Sequence, residues 1–235
     1  MVGVKVKICV PIPAGSLREA FEMIRRAEGI GADIIEMRLD YLGPGIASSP
    51  DMLGKIVKCA STPLIATNRH PKQGGFCRLS EGERIRTLLK AAEAGFTYVD
   101  VELTTDGLRD IVSAVKAYGA KAIISFHNFD YTPEIHEMDE VVRAEVNAGA
   151  DICKVVTMAR SLDDSIRCLL FTREISQRTE LVCFAMGKYG LLSRILSPLF
   201  GASFTYASLG EGLETAPGQL TIDGLREIYR RLGVE

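Results

Sequence analysis

Short apolar runs rich in Val, Ile and Ala alternate along the chain with longer stretches whose apolar positions recur every three to four residues. The first pattern predicts strands over residues 5–10, 33–38, 64–69, 98–103, 122–127, 151–157, 181–186 and 203–207. The second predicts amphipathic helices, among them 16–29, 80–94, 106–118, 133–148 and 162–176. Some strand runs are apolar at consecutive positions, as in Ala122-Ile123-Ile124 and Leu181-Val182-Cys183-Phe184-Ala185, which suits parallel strands covered on both faces. Eight such units in strict alternation predict an α/β fold, a parallel sheet closed into a (β/α)8 TIM barrel. A doubly wound open sheet is the competing topology. However, the segment after the first strand, Val10-Pro11-Ile12-Pro13-Ala14-Gly15-Ser16, is not a dinucleotide-binding loop of the GxGxxG type.

The joints between helix and strand also repeat. Gly31-Ala32-Asp33, Gly95-Phe96-Thr97, Gly119-Ala120-Lys121 and Gly149-Ala150-Asp151 each follow a helical stretch, where glycine supplies the left-handed cap and the next strand begins at once. No linker, low-complexity tract or shift in composition divides the chain, so residues 1–235 are expected to form a single domain.

Against this apolar background the C-terminal ends of the strands are polar. The second ends Glu36-Met37-Arg38, the third Thr67-Asn68-Arg69, the fourth Asp100-Val101-Glu102 and the fifth Ser125-Phe126-His127, while the sixth carries Lys154 between Cys153 and Val155. In a parallel barrel these ends build the active site, and side chains two apart on a strand share a face. Glu36 with Arg38 also fits an internal ion pair, and His127 alone fits a hydrogen-bonded structural histidine. Lys154 is harder to explain as packing, because an ammonium in an apolar strand is costly without a partner or a task. A desolvated lysine near other cations has a lowered pKa, and its neutral amine attacks carbonyls. Arg38, Arg69 and Arg194 follow three different strands and suit a carboxylate or phosphate. The loop from Met186-Gly187 to Gly190, just before Arg194, offers further backbone N–H groups to an anion. A small anionic ketone is the substrate these parts suggest.

Composition narrows the picture. The formal net charge of −2 is spread without a basic stripe, which gives nucleic-acid binding no support. No apolar run approaches the roughly 20 residues that span a bilayer, and residues 1–10 read as strand rather than leader. The six cysteines show no CxxC spacing and are read as reduced, in a cytoplasmic protein. His70, His127 and His136 have no paired metal-ligand spacing, so no metal site is expected. There is no nucleophile elbow and no P-loop.

Taken together and in order, Glu36-Met37-Arg38-Leu39-Asp40, Thr67-Asn68-Arg69, Asp100-Val101-Glu102-Leu103, Ser125-Phe126-His127, Lys154, Met186-Gly187 through Ser193-Arg194, and Ala216-Pro217-Gly218-Gln219 resemble the type I 3-dehydroquinate dehydratase family over nearly the whole chain. The resemblance implies a TIM-barrel lyase of the shikimate pathway that works without a cofactor. It implies that Lys154 condenses with the ketone of 3-dehydroquinate, and that the resulting iminium acidifies the C2 hydrogen. His127 would remove that proton, protonate the departing hydroxyl and shuttle protons while the imine forms and hydrolyses. Glu36, Arg38 and Arg69 would bind substrate hydroxyls and ring, Arg194 its carboxylate, and Thr215 and Gln219 would contact it from the loop after the eighth strand, in which residues 211–218 would form part of a mobile lid. Asp100 and Glu102 would tune Lys154 or His127. The resemblance also implies a homodimer.

The chain departs from the family in three ways. Gln73 stands where bacterial members carry glutamate, and Thr215 stands where the family has serine. The N-terminal extension of some members is missing, leaving residues 1–5 to close the base of the barrel. The alternatives are a class I Schiff-base aldolase acting on a small sugar or sugar phosphate, a catalytically inactive barrel that binds a carboxylate metabolite, and a type II dehydratase. Ala216-Pro217-Gly218-Gln219 is a poor phosphate site, a pure binder needs neither His127 nor Lys154, and type II chains are shorter.

Overall fold

In the computed structural model, which describes residues 6–76 and 79–234, a strand forms at each of the eight apolar runs. They are β1 (Ile8–Ile12), β2 (Ile34–Arg38), β3 (Leu64–Thr67), β4 (Tyr98–Glu102), β5 (Lys121–His127), β6 (Ile152–Met158), β7 (Leu181–Met186) and β8 (Thr205–Tyr206). The helices are α1 (Leu17–Gly29), α2 (Pro44–Ala47), α3 (Pro50–Cys59), α4 (Glu81–Glu93), α5 (Leu108–Ala117), α6 (Ile135–Asn147), α7 (Leu162–Ile175), α8 (Leu191–Leu196) and α9 (Ile222–Leu232). Every strand pair is parallel, in the order β7-β6-β5-β4-β3-β2-β1-β8. Between β7 and β8 the ladder gives way to a single link, the Ser203 N–H donating to the Leu181 carbonyl at 2.8 Å, so the sheet is a nearly closed barrel.

Some boundaries move. The first strand runs on through Pro11 to Ile12, since Pro11 and Ile12 lie in register with Glu36 and Met37 of β2. The eighth shrinks to two residues, Thr205 and Tyr206, in register with Ile8 and Cys9 of β1. The third ends at Thr67. Beyond it the Asn68 carbonyl accepts from Arg84 and the Arg69 side chain turns to β4, so the chain leaves the ladder. Residues 1–5 and Cys77, for which a role at the barrel base and a reduced thiol were expected, lie outside the described residues; the other five cysteines are free thiols.

The glycine joints behave as their sequence predicts. Gly31, Gly95, Gly119 and Gly149 have φ of +81°, +102°, +84° and +94°, a region that L side chains resist. In the two Gly-Ala-Asp joints the aspartate also caps the neighbouring strand. Asp33 accepts from the Ile8 N–H at 3.0 Å, and Asp151 from the Ala122 N–H at 2.8 Å. The recurring triplet therefore satisfies backbone donors at the bottom edge of the sheet.

Outward-facing residues of β1 to β5, such as Val10, Ile35, Met37, Val99, Val101 and Ile124, pack beneath the helices in one large cluster. Cys153, Val155, Cys183 and Ala185 of β6 and β7 pack under α6 and α7 in another. Among the described residues no helix is long and apolar enough to cross a membrane.

Close approach fixes the segment after β7. A Cβ built on Gly190 would fall 2.3 Å from the Ala185 carbonyl oxygen, so α8, which carries Arg194, starts hard against the strand. Gly54, inside α3, has nothing within 4 Å of the same atom. Gly190→Ala is expected to destabilise the protein by about 1–3 kcal/mol through overpacking. Gly54→Ala should stabilise it by about 0.5–1 kcal/mol through helix propensity. Urea denaturation of both variants checks the pair, and equal midpoints would contradict this account of the β7–α8 junction.

Candidate active site

Inward-facing positions grade from apolar to polar along each strand. On β2 they are Ile34, Glu36 and Arg38; on β4, Tyr98, Asp100 and Glu102; on β5, Ile123, Ser125 and His127. The apolar members join Cys9, Ile65, Ile152, Val182, Phe184, Phe204 and Tyr206 as a floor inside the barrel. Above this floor lies a cavity at the C-terminal mouth. Glu36, Arg38, Arg69, His127, Lys154, Arg194, Thr215 and Gln219 all line it, and so do Gln73, Phe184 and Tyr206. Asp100, Glu102 and Ser125 stand just behind these residues in the barrel wall and are fully buried.

The charged groups form one connected network. Lys154 Nζ donates to Asp100 at 2.9 Å and to the Tyr206 hydroxyl at 2.9 Å, and lies 3.6 Å from Glu36 Oε1. Asp100 also pairs with Arg69 at 2.8 Å and accepts from Ser125 at 2.6 Å. Arg69 continues to Glu102 at 3.1 Å, and Glu102 to Arg84 of α4 at 2.6 Å. Arg84 then reaches Glu81, near the surface, at 2.7 Å. Burial pushes the Asp100 carboxyl up, but Arg69 and Lys154 outweigh it and hold the group well below the usual carboxylate range. Arg38 is matched separately by Asp40, in a two-point pair at 2.9 and 2.7 Å.

Among the expected binders of an anion, Arg194 stands apart. It is fully buried, its guanidinium lies 4.2 Å from the Phe184 ring centroid, and its Nε and Nη1 have no hydrogen-bond partner. Burial with no carboxylate nearby lowers its pKa to about 10. Two N–H groups of the loop before it are taken up within the protein: that of Gly187 donates to the Pro217 carbonyl and that of Gly190 to the Gly187 carbonyl.

His127 occupies a different environment from Lys154. Its Nδ1 lies 3.1 Å from Gln73 Oε1, and its ring stacks on Phe129 with centroids 6.0 Å apart. An amide oxygen only accepts, so Nδ1 carries the hydrogen and Nε2 keeps its lone pair. Burial, followed by the fields of Arg69 and Lys154, lowers the imidazole well below its ordinary range, and Asp100 only partly opposes them. The ring is therefore a neutral acceptor. On the opposite rim Gln219 Oε1 accepts from the Thr215 N–H at 2.8 Å, which ties the two polar residues of that loop together.

Two residues of the site carried no sequence signal that was used. Tyr206 sits in the last strand run with a polar atom on an inward position, and Arg84 occupies a buried position of α4. The first was legible from strand alternation, and the second from a charged residue on an apolar helical face. The sequence also led to an expectation of cations around Lys154. The structure instead sets carboxylates against it, with Arg69 one step further out.

Residues 8–235 match the family model for type I 3-dehydroquinase. The chain is 40% identical over 209 residues to the 3-dehydroquinate dehydratase of Dehalococcoides mccartyi, covering 89% of each. It is 37% identical over 227 residues to that of Methanothermobacter thermautotrophicus, covering 96% of this chain and 97% of the other. The crystal structure of 3-dehydroquinate dehydratase from Geobacillus kaustophilus superposes with a TM-score of 0.87 at 28% identity, covering 97% of this chain and 91% of that one.

The amide at position 73 makes a direct prediction. A carboxylate in its place would favour the imidazolium, against Arg69, Lys154 and Arg38, which all oppose it. Gln73→Glu should raise the His127 pKa, because the added carboxylate stabilises the imidazolium. Following the ring proton shifts by NMR across a pH titration checks this, and an unchanged midpoint would show that the 3.1 Å contact does not set the charge of the ring.

Proposed function

The chain belongs to the type I 3-dehydroquinase family and is a 3-dehydroquinate dehydratase, a hydro-lyase of the shikimate pathway; from that premise we propose that Lys154 carries the reaction as an imine and that His127 is its base and then its acid. The observation that carries this reading is the pairing, in one cavity, of a buried lysine with a histidine held neutral. An iminium on Lys154 withdraws electrons from the neighbouring carbon. The free Nε2 of His127 accepts the C2 proton, and the imidazolium so formed returns a proton to the departing C1 hydroxyl. A depressed imidazole pKa keeps the base form available in the resting site and makes the imidazolium a ready acid.

The remaining contacts follow from charge and position. Arg194, buried without a carboxylate, would bind the substrate carboxylate. Glu36, Arg38 and Arg69 would face the ring and its hydroxyls. Thr215, in a lid over residues 211–218, and Gln219, just after it, would reach the substrate from the opposite rim. Asp100 would orient Lys154, and Glu102 would hold Arg69.

Borohydride reduction with 3-dehydroquinate present, followed by peptide mass mapping, should place an adduct on Lys154. Lys154→Ala should abolish adduct and turnover while binding persists. His127→Ala should retain the adduct but lower turnover by about 10²–10⁴-fold. Turnover of unaltered protein without any adduct would remove the imine from this reading, and an undiminished rate in His127→Ala would remove the histidine.

The reading extends to one catalytic domain over residues 1–235, a cytoplasmic location, in keeping with the five free thiols, and a homodimer. Leu162, Ile166 and Leu170 are 57%, 47% and 55% exposed at four-residue intervals, a single apolar face of α7 fit to meet its copy. Light scattering should give twice the chain mass, and Ile166→Glu should reduce it to one; a single-chain mass for unaltered protein would refute the dimer.

A further inference from the structure

The ion pairs around Lys154 pose a chemical problem for the imine reading, on which this inference rests. Nζ donates to two acceptors, Asp100 and Tyr206, and in its ammonium form it has no lone pair with which to attack a ketone. One proton has to leave Nζ first. Asp100 is the nearer carboxylate but a poor receiver. Its Oδ2 is already paired with Arg69, its Oδ1 accepts from Ser125, and burial is outweighed by Arg69 and Lys154 so that it stays ionised. Glu36 is the other carboxylate. Among the described residues no arginine lies within ion-pair distance of it, and Oε1 takes hydrogen bonds from Thr67 at 2.8 Å and from Tyr206 at 3.4 Å. At 3.6 Å, Lys154 is too far from it for a direct hydrogen bond.

Tyr206 bridges that gap. Its ring is wedged against Phe184 and Phe204, with centroids 6.0 and 5.6 Å away, so the hydroxyl is held in place. The oxygen accepts from Lys154 at 2.9 Å and its hydrogen points to Glu36. We propose that Tyr206 is a catalytic residue of this enzyme, a proton relay that passes a proton from Lys154 to Glu36 before the amine attacks and delivers it to the carbinolamine hydroxyl as water leaves. In the forward step the Lys154 N–H bond breaks as a bond forms to the Tyr206 oxygen, while the original Tyr206 O–H proton moves to Glu36. The products are a neutral amine, an unchanged phenol and a neutral carboxyl. The amine then adds to the ketone carbon, and one of its protons moves to the former carbonyl oxygen to give the carbinolamine. The proton held by Glu36 returns through Tyr206 to the carbinolamine hydroxyl, which leaves as water. The iminium remains and Glu36 is again a carboxylate. Burial, then Glu36, pushes the Tyr206 phenol well up, which disfavours a phenolate and makes the two transfers concerted.

The test is rapid mixing with 3-dehydroquinate at saturation, quenching into borohydride at successive times, and mass measurement of the Lys154 adduct. Tyr206→Phe keeps the ring and removes one oxygen, and is expected to slow adduct formation about 10²-fold. A merely structural hydroxyl would change binding or the melting temperature but not this rate at saturation. Imine formation in unaltered protein should also show a curved dependence on solvent deuterium content, because two protons move together. An adduct that forms at full speed in Tyr206→Phe, or a linear dependence in unaltered protein, overturns the relay alone. The absence of any Lys154 adduct in unaltered protein overturns the imine reading and the relay with it.

Discussion

The mouth of this barrel has to hold charge where water is scarce, and the arrangement of the site follows from how that charge is balanced. Lys154, Arg69 and Arg84 are buried together with Glu36, Asp100 and Glu102, three cations against three anions in one chain of contacts. Each ion alone would cost several kcal/mol to desolvate, so none of the six is independent of the others. The strands supply the spacing. A period of two places Asp100 and Glu102 on the same face, and Arg69 from the next strand reaches both. Arg84 then carries the chain of charge outward through α4 to Glu81, which is partly exposed to solvent.

Such a network is a poor way to stabilise a fold. Well-packed apolar side chains of similar volume often do as well or better, whereas removing one member strands its partner at about 3–5 kcal/mol. What the network does achieve is a difference between two halves of the cavity. On the Lys154 side, carboxylates gather and protons are shared through Tyr206. On the His127 side the nearest polar partner is the neutral amide of Gln73, and the fields of Arg69 and Lys154 press against protonation. A lysine surrounded by acceptors and a histidine kept uncharged stand in one cavity because the ions are distributed unevenly, and acid–base chemistry needs that unevenness.

Much of this was legible from the chain. Period-two polarity at the ends of five apolar runs gave the inward faces, and the glycine joints gave the repeating unit with its left-handed caps. Strand register was less accessible, since β1 runs through a proline and β8 keeps only two paired residues. Ion partners were less accessible still. Which carboxylate faces Lys154 depends on the stagger between neighbouring strands, a property of the closed sheet that no local pattern encodes. Alternation places Tyr206 on an inward position, but its ring reads as core, and its hydroxyl acquires a role only when Lys154 and Glu36 arrive from β6 and β2. The bonds that the Gly187 and Gly190 N–H groups make to the Pro217 and Gly187 carbonyls were equally hidden, because they depend on where the loop after β8 lies.

Arg194 completes the charge argument. Of the five buried cations among the described residues, Arg38, Arg69, Arg84 and Lys154 each lie beside a carboxylate, and Arg194 does not. The Phe184 face gives it a partial substitute, and a distant Pro217 carbonyl a weak one at 3.5 Å. The free protein therefore carries one desolvated positive charge that its own residues leave unanswered. In the reading proposed above, a substrate bearing a single carboxylate would supply the missing anion without having to strip water from the guanidinium, because folding has already done so. The same carboxylate would fix where the rest of the molecule lies relative to Lys154 and His127, so that one electrostatic vacancy would set both affinity and orientation.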